Sequence, residues 1–177
     1  MFETLRADLR RNLQDYAPRG RLRAVLLGLT LNSVHAILLI RLQFWCARHR
    51  LPTIFAAKLL FWLFKIEISR EARIGPGLRL PHPMGLIIAP QVVVGANCDL
   101  YADVRLVLAN GLREGPRIGN HVFLGDGAKV VGRVNVGDHA VVGVSSVVTR
   151  DIPPQATAVG IPARIIDEHN ERARDAR

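Results

Sequence analysis

The chain has 177 residues, 49% of them apolar and 22% charged, with two cysteines and a net charge of +9. That length suits one domain with a true core, or a core domain plus an appendage, and the apolar content excludes global disorder. Cys46 and Cys98 lie far apart and no Cys/His cluster has zinc-like spacing, so no metal site is expected and the cysteine usage suits a reducing compartment.

The charge is unevenly spread. Residues 1–70 hold 12 Lys/Arg against 4 Asp/Glu, whereas residues 71–177 hold 12 against 11. Basicity is therefore a property of the N-terminal third, which has no recognisable helix-turn-helix or zinc motif, and no nucleic-acid partner is expected.

In chain order, "MFETLRADLRRNLQDY" reads as a charged amphipathic helix. It lacks the apolar core of a signal peptide, which predicts a cytoplasmic protein. Residues 22–47 and 53–65 are Leu-rich and nearly free of glycine, so they read as helices, with breaks at "APRG" (17–20) and "HRLP" (49–52). Seventeen uncharged residues separate Arg23 from Arg41, at the short end for a membrane span, and Asn32, Ser33 and His35 interrupt them. Three readings stay open: a buried oligomerisation helix, an in-plane helix at the inner face of an anionic membrane, or a true span. In the second, Arg19, Arg21, Arg23, Arg48, Arg50, Lys58 and Lys65 would face lipid phosphates, giving peripheral association through residues 1–65.

After Glu67 the texture changes to Val, Ile and Gly with a six-residue beat. Aliphatic residues fall at Ile68, Ile74, Leu80 and Leu86, then after a two-residue slip at Val94, Leu100 and Leu106. The beat returns at Ile118, Leu124, Val130, Val136, Val142 and Val148. A small or apolar residue follows four places later at Ala72, Cys98, Val104, Val122, Ala128, Val134, Ala140 and Ser146. A period of six fits neither a helix nor an ordinary strand, and is the signature of a hexapeptide β-helix. Cys98 then occupies an inward core slot, and Cys46, beside Trp45, reads as packing. His121 and His139 share one phase of the repeat and are expected to point outward at a turn.

From about Phe61 to Ile166 the sequence resembles the serine acetyltransferase-like branch of the hexapeptide-repeat acyltransferases. The segments that carry the resemblance are "KIEISREARIGPGLRLPHPMGLII", "VFLGDGAKVVGRVNVGDHAVVGVSSVV" and "DIPPQATAVGIPARII". It implies a mainly β fold, a left-handed parallel β-helix of hexapeptide repeats preceded by an N-terminal α-helical region. It also implies a homotrimer or dimer of trimers, with acetyl-CoA as co-substrate and no metal. The organisation expected is a helical region over 1–66, the β-helix acetyltransferase domain over 67–166 and a charged tail over 167–177.

In that family a histidine follows an acidic residue by fifteen positions, and the two form a catalytic dyad. The resemblance makes His82 the general base and Glu67, fifteen residues earlier, its orienting partner; the family commonly has aspartate there. A neutral imidazole is a well-matched base for an alcohol attacking a thioester, and a carboxylate on its other nitrogen fixes the tautomer. The matching segments offer Gly125, Ala128, Ser145, Ser146, Gly160 and Ala163 as CoA contacts, with Lys129, Arg150 and Arg164 as phosphate partners by charge.

The sequence departs from the family on the acceptor side. Serine acetyltransferases usually read Asp-His where this chain reads Pro81-His82, and they carry a second histidine in a glycine-rich excursion. Here that stretch is "LVLANGLREGPRI" (106–118), with Gly115 near the expected place. The leading expectation is therefore an O-acetyltransferase acting on a sugar or polysaccharide-precursor hydroxyl, with Arg113, Glu114 and Arg117 toward the acceptor. The alternatives are a true serine O-acetyltransferase and, in another class, a non-catalytic β-helix scaffold.

Overall fold

Among the described residues, an N-terminal helical region leads into a three-sided solenoid. The structure is a computed structural model, and it describes residues 2–16, 27–111 and 113–166. The helices are α1 (Phe2–Leu13), followed by a 3-10 turn at Gln14–Tyr16, then α2 (Asn32–Arg48) and α3 (Ile54–Phe64). The single helix expected over 22–47 is interrupted: Leu27 and Gly28 are helical, residues 29–31 are not, and α2 begins at Asn32. The Thr30 hydroxyl and amide both donate to the Leu27 carbonyl, at 2.8 and 2.9 Å, and Leu31 is extended. Such a local side-chain bond competes with the helical ladder and ends it. Residues 22–26, and with them Arg19, Arg21 and Arg23, lie outside the described residues. Among those described, no helix is long and apolar enough to cross a membrane.

The strands are β1 (Glu67–Ile68), β2 (Arg73–Ile74), β3 (Ile87–Ile88), β4 (Val93–Val94), β5 (Asp99–Leu100), β6 (Arg105–Val107) and β7 (Arg117–Ile118). They continue as β8 (Phe123–Leu124), β9 (Lys129–Val131), β10 (Asn135–Val136), β11 (Val141–Val142), β12 (Val147–Val148), β13 (Thr157–Val159) and β14 (Arg164–Ile166). Face A stacks β1-β3-β6-β9-β12, face B stacks β2-β4-β7-β10, and face C stacks β5-β8-β11-β13. All of these pairings are parallel; β14 closes face C antiparallel to β13. The chain visits A, B and C in turn, so the fold is the parallel β-solenoid that the six-residue beat predicts. Within a strand one residue faces out and the next is buried, and the small residue four places on fills a corner: Val104, Ala128 and Ala140 are fully buried.

The register corrects one detail of the beat. Ile68 pairs with Ile88, not with Leu86, and Arg79 bridges Asp99, both twenty residues on. Ile87, by contrast, lies beside Arg105, eighteen residues on. The two extra residues therefore lie before β3, in the segment that holds His82. Leu86 instead belongs to the corner column of Val104, Ala128 and Ser146, whose carbonyls accept in succession from Glu67, Ile87, Arg105 and Lys129. Cys98 is buried as expected; its thiol donates to the Gly119 carbonyl at 3.1 Å, and burial raises its pKa above the ordinary thiol value.

Helix α1 docks through polar rather than apolar groups. Asp8 is fully buried and accepts from Arg41 Nε (2.6 Å), Arg41 Nη2 (3.1 Å) and the Leu78 amide (2.9 Å). The Arg41 fork also donates to the Ile74 and Gly75 carbonyls at 2.9 and 2.6 Å. One turn on, the Asn12 side chain donates to Leu78 O at 2.8 Å and accepts from Leu80 N at 2.9 Å. An open sheet edge presents unpaired backbone groups, and Asn12 satisfies them at the base of face C as a neighbouring strand would.

Candidate active site

His82 stands on the edge of the prism where the chain turns from face C to face A. The turn is pinned from below, where Gly85 N donates to Phe64 O (3.0 Å), and from above, where Asp103 N donates to Met84 O (2.8 Å). Gly85 has φ +69 and a Cβ there would meet the Asp103 carboxylate, so glycine takes this corner without strain. Pro83 is buried, Pro81 is half-buried and His82 is exposed between them. The two inserted residues and the fixed proline φ angles thus carry the imidazole out of the wall on a stiff loop.

The His82 ring meets the Tyr101 ring edge-on, with centroids 6.0 Å apart and planes at 64°. Tyr101 packs in turn on Phe123 at 5.0 Å. Edge-to-face contacts of this kind fix ring orientation. Tyr101 was not singled out from the sequence. Its signal is an aromatic directly after the face C core residue Leu100, one coil above the His82 turn.

Glu67 is the outward residue of β1, and its amide donates to Leu86 O at 2.8 Å. Its side chain borders a cavity of about 290 Å³ between α3 and the base of face A, shared with Gln43, Lys58 and Phe61. Segments 64–67 and 85–86 are bonded one above the other, so Glu67 and His82 belong to adjoining layers. Among the described residues no hydrogen bond or ion pair joins them, and the Glu67 carboxylate has no other hydrogen-bond partner.

Gly125, Ser145, Gly160 and Ala163 fall on the same C-to-A edge as His82, in the coils above it, and Lys129 opens the strand beside them, its Nζ donating to Gly127 O at 3.0 Å. Ala128 and Ser146 fall there too but face the core. Both are fully buried, the Ser146 hydroxyl accepts from Gly160 N at 3.0 Å, and their amides and carbonyls are bonded within the solenoid. Neither presents its side chain at the outer edge, because the corner slot takes a small inward side chain. Arg150 lies on a different edge, after β12, and Arg164 is an exposed residue of β14.

Arg113 and Glu114 lie in the loop between β6 and β7, on the A-to-B edge. Glu114 pairs with Arg133 at 3.0 Å, both well exposed, and Arg117 points outward from face B between Val93 and Asn135. Within one chain none of the three shares an edge with His82. His121 and His139 point outward as expected, stacked at 4.7 Å on the B-to-C edge. Among the described residues no three His, Cys, Asp or Glu side chains form a group that could hold a metal ion.

A parallel β-solenoid of hexapeptide repeats with a histidine presented at one edge defines the class: a hexapeptide-repeat acyltransferase. No protein-family model matches the chain. The serine acetyltransferase of Synechococcus elongatus is 37% identical over 94% of this chain and 69% of its own. That of Helicobacter pylori is 37% identical over 90% of this chain and 94% of its own. Some relatives are longer: the chain spans 52% of the Escherichia coli serine acetyltransferase, at 32% identity. Among solved structures, soybean serine acetyltransferase complexed with serine superposes with a TM-score of 0.80 at 29% identity, over 92% of this chain and 70% of that one. A serine acetyltransferase in complex with CoA gives 0.79 at 26% identity, over 92% and 68%. The chain belongs to the serine acetyltransferase family, and with it to the acetyl-CoA-dependent O-acetyltransferases.

Proposed function

We propose that this protein is a serine O-acetyltransferase, moving the acetyl group of acetyl-CoA to the side-chain hydroxyl of L-serine. The observation that carries the reading is the kinship with the Helicobacter pylori serine acetyltransferase, which runs over nearly the whole of both chains. It backs serine, the alternative expectation, better than the sugar hydroxyl.

In this reading His82 is the general base. Its imidazole takes the hydroxyl proton as the oxygen attacks the thioester carbon; the C–O bond forms, the C–S bond breaks, and the proton passes to the departing thiolate. Glu67, whose carboxylate has no hydrogen-bond partner among the described residues and lies in the adjoining layer, is the acid that closes on the second ring nitrogen when the dyad forms. The exposed Ser145 and Gly160 leave room along the edge for the co-substrate, and Lys129 supplies a cation for its phosphates. The loop bearing Arg113, Glu114 and Arg117 sits on another edge of the prism, so it would meet the His82 edge from a neighbouring copy. In this reading the enzyme is a homotrimer of the cytoplasm, with its sites between neighbouring copies.

One observation favours the second reading, a sugar acceptor. Pro81 puts no carboxylate beside His82, and the loop over 106–118 carries no second histidine, with Gly115 near its expected place. An acceptor panel of L-serine, L-homoserine and nucleotide sugars, read by CoA release, separates the two. Turnover of L-serine well above the others is expected; turnover of a sugar with none of serine would install the second reading.

A further inference from the structure

Helix α3, "IFAAKLLFWLF", is apolar on both sides. Ala56, Leu60 and Phe64 are buried against the rest of the protein. On the other side Phe55 is 79% exposed, Trp62 66% and Leu63 63%, with Leu59 and Leu51 nearly half exposed. Phe55, Leu59 and Trp62, at i, i+4 and i+7, form one stripe along the axis. A water-facing helix surface is ordinarily polar, and a contiguous apolar patch rimmed by charge marks an interaction site.

The charge around that stripe is mainly positive. Between Asp15 and Glu67 the chain has eight Lys/Arg and no acidic residue. Arg41 is consumed by Asp8, whereas Arg48, Arg50, Lys58 and Lys65 are exposed on and around α3 and form no ion pair among the described residues. Lys65 lies along the helix with its Nζ 5.2 Å from the Phe61 ring, an apolar stem with a charged tip at the rim. A second copy docking the same face would bring four cations against their own equivalents, with Glu67, on the cavity it shares with Lys58, as the acid to offset them. A surface of anionic lipid headgroups neutralises them instead.

We propose that α3 lies in the plane of an anionic bilayer surface. Phe55, Leu59, Trp62 and Leu63 enter the acyl boundary, and Arg48, Arg50, Lys58 and Lys65 meet the headgroup phosphates. Eleven helical residues reach about 17 Å, far short of a hydrocarbon core of about 30 Å, so the helix rests on the membrane and does not span it. Tryptophan at the interface and lysine at its rim are the composition such a helix uses. The solenoid stays in water, with the His82 turn tied to the end of α3 through Phe64 O.

The test uses the full chain and vesicles of phosphatidylcholine, with or without about one-third phosphatidylglycerol. Co-sedimentation at low salt is expected to be at least about tenfold stronger on the anionic vesicles and to weaken at high salt. In a Trp45→Phe background, Trp62 emission should shift to the blue on binding. Phe55→Ser with Trp62→Ser should abolish binding while acetyl transfer persists. Arg48→Glu with Arg50→Glu, which leaves the apolar stripe intact, should weaken it by about tenfold. Wild-type protein that ignores anionic vesicles at low salt overturns the proposal. So does a Phe55/Trp62 variant that binds them undiminished, or one that lowers the oligomeric mass while the wild type fails to bind, which would make the stripe an interface between copies.

Discussion

Tyr101 stands edge-on against His82, one coil above it, and is itself held by Phe123. The contact gives the imidazole a wall on one side. Tyr101→Ala should therefore lower kcat/KM by about tenfold with little loss of stability, since the ring adopts off-geometry orientations. Tyr101→Phe keeps the wall and should keep most of the activity. Steady-state kinetics on the two variants check this, and equal losses would mean that the hydroxyl, not the ring, matters.

The buried Asp8–Arg41 pair predicts an asymmetry. Removing one partner leaves an uncompensated buried charge, so Asp8→Ala should cost about 3–5 kcal/mol. Asn12→Ala, which orphans Leu78 O and Leu80 N, should cost about 1–3 kcal/mol. Urea denaturation of the two variants measures both. If Asp8→Ala is neutral, α1 does not clamp the first coil.

How much of this was legible in the sequence follows from where each signal lies. The solenoid repeats one environment every six residues, so its beat survives in a single chain. Leu86 misled because a corner slot and a strand slot both accept leucine, and only the pairing of Ile68 with Ile88 distinguishes them. The fifteen-residue spacing of Glu67 and His82 comes from the resemblance; the fold puts the two in adjoining layers with no bond between them among the described residues. Tyr101 owes its place to stacking between coils, which no local pattern announces. Asp8 and Asn12 read as the polar side of an amphipathic helix; their partners Arg41, Leu78 and Leu80 are 33 to 70 residues away. Ala128 and Ser146 matched a family segment, but the same six-residue phase that makes them recognisable turns them inward.

Acid should loosen the corners in a definable direction. Asp138 accepts from the Asn120 amide and side chain, and Asp151 does the same for Asn135, which lowers both carboxyl pKa values below 3.8. A depressed folded-state pKa contributes stability above the unfolded value, and that contribution is lost as pH falls through the folded one. Thermal stability should thus be flat from neutral pH to about 5 on account of these groups and decline below 3.8. Asp138→Asn with Asp151→Asn should be less stable at neutral pH and show a shallower acid decline; an unchanged profile would remove the corner bonds from the account.

In the proposed mechanism Glu67 acts through His82, so its loss should differ from loss of the base. Glu67→Gln should lower kcat more than it raises KM and shift the pH profile of the reaction. Glu67→Asp, the residue common in the family, should restore part of the rate. A pH–rate profile identical to wild type for Glu67→Gln would end its role as orienting partner.

The central claim is that His82, held out on its stiff edge loop, takes the proton from a serine hydroxyl. The most direct measurement is CoA release from acetyl-CoA with L-serine, comparing wild type with His82→Ala at equal folded concentration. The account predicts a fall of roughly a hundredfold or more in kcat with the thermal melt unchanged. Turnover of L-serine by His82→Ala at the wild-type rate would contradict it.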